Sequence, residues 1–308
     1  MKFLITGGAG FIGSNIASEL LKKGYSVRIL DNFSSGKREN LKGMEKDIEL
    51  VEGDIRSYHI VQDSLKDIDI VLHQAALPSV PRSIKDPITT NDVNINGTLN
   101  ILEAAVDLKV KRVVYASSSS VYGDNPVLPK VETMIPNPLS PYAVSKLAGE
   151  KYCNVFSRIY GLETVCLRYF NVFGPRQDPT SQYSAVIPKF IKSISQNIQP
   201  VIYGDGEQSR DFTYISNVIQ ANILAATSDC ESGITVNCAV SGQITLNDLV
   251  KEMNKLMNRD VKPIYEGPRA GDIKHSYADI SLAEKSIGYK PVVSFQEGLK
   301  MTIESYLV

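Results

Sequence analysis

Tryptophan is absent from the 308 residues, so aromatic contacts rest on 15 Tyr and 9 Phe. Histidine is scarce, and His59, His73 and His275 are scattered. The cysteines Cys153, Cys166, Cys230 and Cys238 form no CxxC pair and join no histidine cluster. That spacing argues against a zinc site and against a disulfide framework. It suits small core residues in a reducing compartment. Neither sign of charge dominates: 33 Lys and Arg face 34 Asp and Glu, a net charge of −1. A nucleic-acid binder working through a broad basic face needs a cationic excess that is missing here. No apolar run approaches the ~18 residues of a membrane span. The opening run Met1–Thr6 is too short for a signal peptide and breaks at once into glycines. The expectation is a cytoplasmic protein that engages neither membrane nor nucleic acid.

What is present is ordinary for a globular chain: 43% apolar and 22% charged residues. The length suits one large α/β domain with a smaller lobe. Short β-branched runs at Lys2–Thr6, Ser26–Asp31, Ile48–Glu52, Ile68–His73, Arg112–Ser117 and Thr164–Tyr169 read as strands. They are too apolar to show a solvated face, as expected of a parallel sheet covered on both sides. Helical patterns at Phe11–Lys23, Ile60–Leu65, Thr89–Leu108 and Tyr142–Tyr160 alternate with them. Such βαβ alternation predicts an α/β, doubly wound parallel sheet. After Tyr169 the rhythm changes. Gly-Pro, Asp-Pro and Gly-Asp-Gly punctuation marks turns up to about Ser216, around one helix at Ala185–Gln196. A helix at Asn217–Thr227 and a strand at Thr235–Ala239 return to the sheet. A helix from Thr245 to Met257 and loops with Pro263, Gly267, Pro268 and Gly271 follow. The expected division is a sheet domain of residues 1–170 and 216–243, and a smaller C-terminal α/β lobe of residues 171–215 and 244–308.

The first strand runs into Gly7-Gly8-Ala9-Gly10-Phe11-Ile12-Gly13 and then a helix. Gly8, Gly10 and Gly13 fit G-x-G-x-x-G, and Gly7, Gly10 and Gly13 fit G-x-x-G-x-x-G. Both patterns make a tight turn that lets backbone approach a pyrophosphate at a helix N-terminus. Asp31 ends the second strand 31 − 10 = 21 residues beyond Gly10. There an acid hydrogen-bonds the adenosine ribose and repels a 2′-phosphate, which favours NAD over NADP. Lys37 and Arg38 lie close by and weigh the other way. Asp54 follows the third strand; it reads equally as a group reaching the adenine edge or as a solvated strand-end acid.

Ser140-Pro141-Tyr142-Ala143-Val144-Ser145-Lys146 opens a helix, with Ser140 as N-cap and Pro141 at the first helical position. Tyr142 and Lys146 then share a face at i and i+4. An ammonium beside a phenol lowers the Tyr pKa and equips Tyr142 as a proton carrier. Alone, Y-x-x-x-K usually means two surface residues; the preceding dinucleotide turn gives it weight. Upstream, Ser117-Ser118-Ser119-Ser120-Val121-Tyr122-Gly123 ends a strand. Strand C-termini of an open parallel sheet face the ligand crevice, where hydroxyls can hold a substrate oxygen.

These residues, with His73–Ser83, Leu167–Pro175, Gly204–Tyr214 and Arg269–Asp279, carry a resemblance along the whole chain. The chain resembles the extended short-chain dehydrogenase/reductase superfamily. Within it, the chain is most similar to nucleotide-sugar 4-epimerases, those acting on UDP-N-acetylglucosamine above all, and UDP-glucose 4-epimerases. The resemblance implies a Rossmann fold, a homodimer and a catalytic set of Ser118, Tyr142 and Lys146. It implies an NAD site lined by Gly7, Gly10, Phe11, Ile12, Gly13, Asp31, Asn32, Asp54, Ile55, Gln74, Ala75, Ala76, Asn94, Tyr142, Lys146 and Tyr169. For the UDP-sugar it implies Ser79, Ser118, Ser119, Asn171, Ala185, Ile202, Tyr203, Arg210, Arg269, Asp272 and Ser276. The paired Arg210 and Arg269 suit a pyrophosphate through bidentate forks.

The serine turn also separates branches of that superfamily. Sugar 4,6-dehydratases need an Asp-Glu pair after the catalytic hydroxyl, and this chain has Ser119 and Ser120, so elimination lacks its acid and base. Oxidation and reduction at one carbon remain, which is 4-epimerisation, with UDP-glucuronate 4-epimerases as a neighbouring alternative. In similar epimerases the position of Ser276 gates the sugar. A Tyr there restricts the pocket to UDP-glucose and UDP-galactose, and a small residue admits an acetamido group. Ala185 and Ser119 match the same N-acetyl-accepting pattern, whereas Pro78 departs from it, since the closest relatives have Gly there. Dinucleotide folds also host non-enzymes, so an NAD-binding scaffold is the reading from another class.

Overall fold

The computed structural model describes residues 1–178, 186–267 and 274–307. Seven strands form the main sheet: β1 Lys2–Thr6, β2 Ser26–Asp31, β3 Ile48–Glu52, β4 Ile70–His73, β5 Arg112–Ser118, β6 Glu163–Tyr169 and β7 Ile234–Cys238. Their order is β7-β6-β5-β4-β1-β2-β3, and every pair is parallel. The order reverses at β1, so a crevice opens between the C-terminal ends of β1 and β4. This is the doubly wound Rossmann arrangement that the βαβ rhythm predicts.

The helices cover both faces: α1 Phe11–Lys22, α2 Tyr58–Leu65, α3 Gly97–Asp107, α4 Pro141–Tyr160 and α6 Ile215–Thr227, with α5 Val186–Ser195, α7 Leu246–Met257 and α8 Phe295–Leu307 in the later segments. On one face, Leu4, Val71, Val113, Ile101 and Phe156 build a buried cluster. On the other, Phe3, Ile5 and Ile16 join a second cluster that runs on into Phe190, Phe212, Leu249 and Phe295. Apolar surface on the two sides of the sheet is thus removed from water separately, at roughly 25 cal/mol per Å². Among the described residues, three small sheets, of two, three and two strands, lie outside the main one.

Three expectations need correction. β3 shows a solvated face, with Leu50 exposed, where it forms the edge of the sheet. The helix expected over Thr89–Leu108 is interrupted: a short helix Pro87–Asn91 passes through a π-turn at Asp92–Asn96 before α3 begins. The wider turn carries the buried Asn94, whose amide accepts from Leu77 N at 2.7 Å and donates to Leu77 O and Ser145. Beyond Met257, where Pro and Gly suggest loops, Ser281–Ile287 and α8 are helical. Phe295, Leu299 and Ile303 repeat at i, i+4 and i+8, and all three are buried. Cys153, Cys166 and Cys238 are buried free thiols and Cys230 is half-buried. No described helix is long and apolar enough to cross a membrane.

Candidate functional site

The glycine turn joins β1 to α1 at the switch point. Gly7 has φ +68°, and a Cβ there would sit 2.8 Å from the Ala75 backbone. A Cβ on Gly13 would sit 2.3 Å from the Gly7 carbonyl. Only glycines let β1, α1 and the segment after β4 approach this closely. Gly10 caps α1 with no side-chain hydrogen bond, and the first turn of α1 carries no acid. Phe11 and Ile12 follow, half-buried, so backbone donors and the positive helix end are left for an anion.

Asp31, at the end of β2, accepts from Ala9 N and Phe33 N, each at 2.8 Å. Burial raises its pKa, and those two donors work against the rise. Asn32 donates to Asp54 at 2.8 Å, and the Arg56 fork holds the Asp54 carboxyl down at about 2. Asp54 is therefore an ion-paired acid rather than a merely solvated one, and Ile55 beside it is buried. The basic neighbours are engaged elsewhere: Lys37 pairs with Asp178 and Arg38 with Glu52. After β4, Gln74, Ala75 and Ala76 are half-buried. Gln74 donates to Asn222 at 2.9 Å and accepts from the Tyr169 hydroxyl at 3.1 Å. Glycine cradle, capless helix start and buried ribose-side acid together fit a dinucleotide of the NAD type.

β5 delivers the serine turn. Ser118 pairs in register with Tyr169 of β6, so both stand at the C-terminal edge of the sheet. Ser119–Tyr122 is a 3₁₀ turn, and Ser118 accepts from Ser120 N at 3.2 Å. α4 starts as the sequence predicts: Ser140 accepts from Ala143 N, Pro141 lies in the first turn, and Gly161 ends the helix in the left-handed region. Its first turns present Tyr142 near Ser118, which draws the phenol pKa down. Lys146 is buried; its Nζ donates to Ala116 O at 2.8 Å, 5.1 Å from the Tyr115 ring and 6.0 Å from the Tyr142 ring.

The electrostatics correct one expectation. Tyr142 is held above its ordinary pKa by burial, and Ser118 rather than Lys146 draws it down. The Lys146 pKa is itself pushed down to about 8 by burial, and its ammonium faces a carbonyl. In the protein by itself, desolvation of the phenolate outweighs the nearby cation.

Asn171, Tyr203 and Arg210 line one cavity of about 330 Å³ with Phe173, Phe190 and Phe212. Ile202 is buried beside Tyr203. Arg210 donates to Ser209 O and Lys274 O. Ser276 is half-buried and lies in parallel register with Arg210. Ser79 has φ +94°, a strained value for a residue with a Cβ, and caps the helix Val80–Lys85 through Arg82 N. Ser119 is half-buried beside Ser118. Ala185, Arg269 and Asp272 lie outside the described residues.

The sequence reading passed over a buried polar cluster behind the serine turn. Glu150 of α4 takes Ser117 Oγ at 2.5 Å and the Arg168 fork at 2.9 and 2.8 Å. A signal existed: Arg168 is a charged residue within the buried run of β6, and Glu150 continues the Tyr142 and Lys146 face at i+8. His73 was another, linking Thr6 of β1 and Thr98 of α3 at 2.6 and 2.9 Å.

Comparison with known proteins accords with this geometry. The family described as NAD dependent epimerase/dehydratase matches residues 3–239. A UDP-N-acetylglucosamine 4-epimerase from Methanobrevibacter ruminantium, solved with UDP-N-acetylmuramic acid, is 44% identical over 99% of this chain and 98% of its own, with a TM-score of 0.95. A UDP-glucose 4-epimerase from Thermotoga maritima, solved with UDP-glucose, is 38% identical over 100% and 99%, also at 0.95. A UDP-glucuronic acid 4-epimerase from Bacillus cereus, solved with UDP-glucuronic acid and NAD, is 34% identical over 99% and 98%, at 0.92. With its glycine turn, Asp31 and the Ser118, Tyr142 and Lys146 group set around one switch-point crevice, the chain belongs to the NAD dependent epimerase/dehydratase family.

Proposed function

We propose that the chain is an NAD-dependent UDP-hexose 4-epimerase that interconverts UDP-GlcNAc with UDP-GalNAc and UDP-glucose with UDP-galactose. The observation that carries this reading is the grouping of Ser118, Tyr142 and Lys146 at the C-terminal end of β5, next to Ser119 and Ser120 where elimination chemistry needs an acid and a base. Residues 1–170 and 216–243 would hold NAD, through Gly7, Gly10, Phe11, Ile12, Gly13, Asp31, Asn32, Asp54, Ile55, Gln74–Ala76, Asn94, Lys146 and Tyr169. Residues 171–215 and 244–308 would hold the UDP-sugar, with its nucleotide part in the cavity of Asn171, Tyr203 and Arg210.

In this mechanism Tyr142, as phenolate, accepts the proton of the sugar 4-hydroxyl, and Ser118 hydrogen-bonds the same oxygen. NAD held there would supply the hydride acceptor and donor, and its oxidised form would add positive charge that favours the phenolate. Lys146 adds its own charge, being cationic below a pKa of about 8. Tyr142 then returns the proton to the 4-keto oxygen after the sugar has turned its other face, so protons balance over the cycle.

Ser276 is the proposed sugar gate. It is small, half-buried and registered against Arg210, which lines the cavity. The test is turnover of UDP-GalNAc, UDP-galactose and UDP-glucuronic acid by the wild type and by Ser276→Tyr. The variant is expected to lose UDP-GalNAc turnover while keeping UDP-galactose. Unchanged UDP-GalNAc turnover removes Ser276 from the argument, and loss of water from the product would mark a dehydratase.

A second copy of the chain is the proposed partner. Val144, Val155 and Ile159 on α4 are exposed along one stripe, with Ile84 and Ile88 also exposed. Apolar side chains in such a row mark an association surface.

A further inference from the structure

The side-chain hydrogen bonds of Glu150 and Arg168 join them to each other and to Ser117, positions not expected to meet NAD or sugar, yet the pair is almost fully buried, at 4% exposure each. Burying two charges is costly, and apolar residues of the same volume would often fold as well. Its connections set it apart from a stabilising ion pair. Glu150 sits two helical turns after Tyr142 on the same face of α4, with Lys146 between them. Its carboxylate takes the hydroxyl of Ser117, the residue directly before Ser118, at 2.5 Å. The Arg168 guanidinium stacks 4.7 Å from the ring of Tyr122, which closes the same serine turn. The Tyr122 hydroxyl in turn donates to Asn237 of β7 at 2.7 Å. Ser118 and Ser119 therefore lie between two anchors, Ser117 and Tyr122, both tied to one ion pair. One member of that pair rides on the helix that carries Tyr142.

We infer that Glu150 and Arg168 are positioning residues, which hold the serine turn against α4 so that the Ser118 hydroxyl reaches the Tyr142 phenol. This inference rests on the proposed roles of Ser118 and Tyr142. Loss of the anchor would let Ser118 drift while leaving the substrate cavity intact. Because Ser118 lowers the Tyr142 pKa against burial, drift raises the pH at which the phenolate forms. The other groups facing Tyr142 are Lys146 from its own helix and Tyr115 from β5. Those facing the ion pair are Tyr115 and Cys166, Tyr122, and Glu132 with Asp279 beyond it. None of these is altered by a change at Ser117.

The experiment uses the full chain with NAD and compares pH profiles of epimerisation for the wild type, Ser117→Ala, Ser117→Thr, Glu150→Gln and Ser118→Ala. Ser117→Ala removes one hydroxyl and no charge, so it tests the anchor even if Glu150→Gln fails to fold. Expected for Ser117→Ala is kcat lower by about tenfold and KM within about twofold in a protein that still folds, the pattern of a lost transition-state contact. The acid limb of kcat/KM should move to higher pH by about half a unit or more. Ser117→Thr keeps the hydroxyl and should restore both rate and profile. A folded Ser117→Ala protein with the wild-type acid limb overturns the inference, whether or not its rate falls. Full turnover by Ser118→Ala overturns instead the catalytic assignment beneath it.

Discussion

Tyr142, the proposed proton carrier, stands in a place that opposes that role. Burial raises the phenol pKa, and nearby Ser118 recovers only part of the rise. Removing its hydroxyl should therefore remove turnover without unfolding the protein. Tyr142→Phe is expected to lower kcat by about 10³-fold, within the usual range for a lost proton carrier. Bound NAD, read by absorbance of the purified protein, should be retained. Normal turnover by that variant would sink the assignment of Tyr142.

At the scale of elements, the contacts that build the site are close ones. Gly149 faces the Tyr115 ring across α4 and β5, and a Cβ there would lie 2.2 Å from the Tyr115 hydroxyl. Alanine gains up to about 1 kcal/mol in helix propensity. The clash forces α4 away from β5, and overpacking of this kind costs about 1–3 kcal/mol. Gly149→Ala is thus expected to lower stability and activity together, seen in urea midpoints beside the epimerase assay. Ser140→Ala removes the cap of the same helix and should cost about 1 kcal/mol, with its effect on Tm exceeding its effect on KM. A Ser140→Ala protein as stable as the wild type would show that packing, not the cap, holds the start of α4.

Across the whole molecule, His73 links β1, β4 and α3 through Thr6 and Thr98 while buried. Burial, with Lys146 adding to it, lowers the His73 pKa from 6.5 to about 3. Between those values the unfolded chain binds a proton that the folded chain refuses, so stability falls as pH falls through this window. The loss from this residue is about 2 kcal/mol between pH 7 and pH 5. Denaturant titrations at both values should show it, and His73→Asn should flatten the dependence. An equal pH dependence in the variant would place the acid sensitivity elsewhere. Association belongs to this scale as well. Ile159→Glu puts a charge into the exposed stripe on α4 and is expected to turn a dimer into a monomer by light scattering. A wild type that is already monomeric would remove the proposed partner.

Sequence alone determined the local features. The βαβ rhythm, the glycine turn, the acid 21 residues after Gly10, the Ser140 cap and the Tyr142–Lys146 face each depend on near neighbours in the chain. Periodicity and turn chemistry express such contacts directly. Tertiary structure decided what depends on residues far apart. Strand order left β3 at the edge and exposed Leu50. A π-turn at Asp92–Asn96 carries Asn94, which bonds Leu77 and Ser145 far along the chain. Burial turned the expected fall of the Tyr142 pKa into a rise and aimed Lys146 at the Ala116 carbonyl. Glu150 met Arg168 and Ser117 only when α4, β5 and β6 packed together. Desolvation is a property of the enclosure around a group, and no spacing along the chain encodes it.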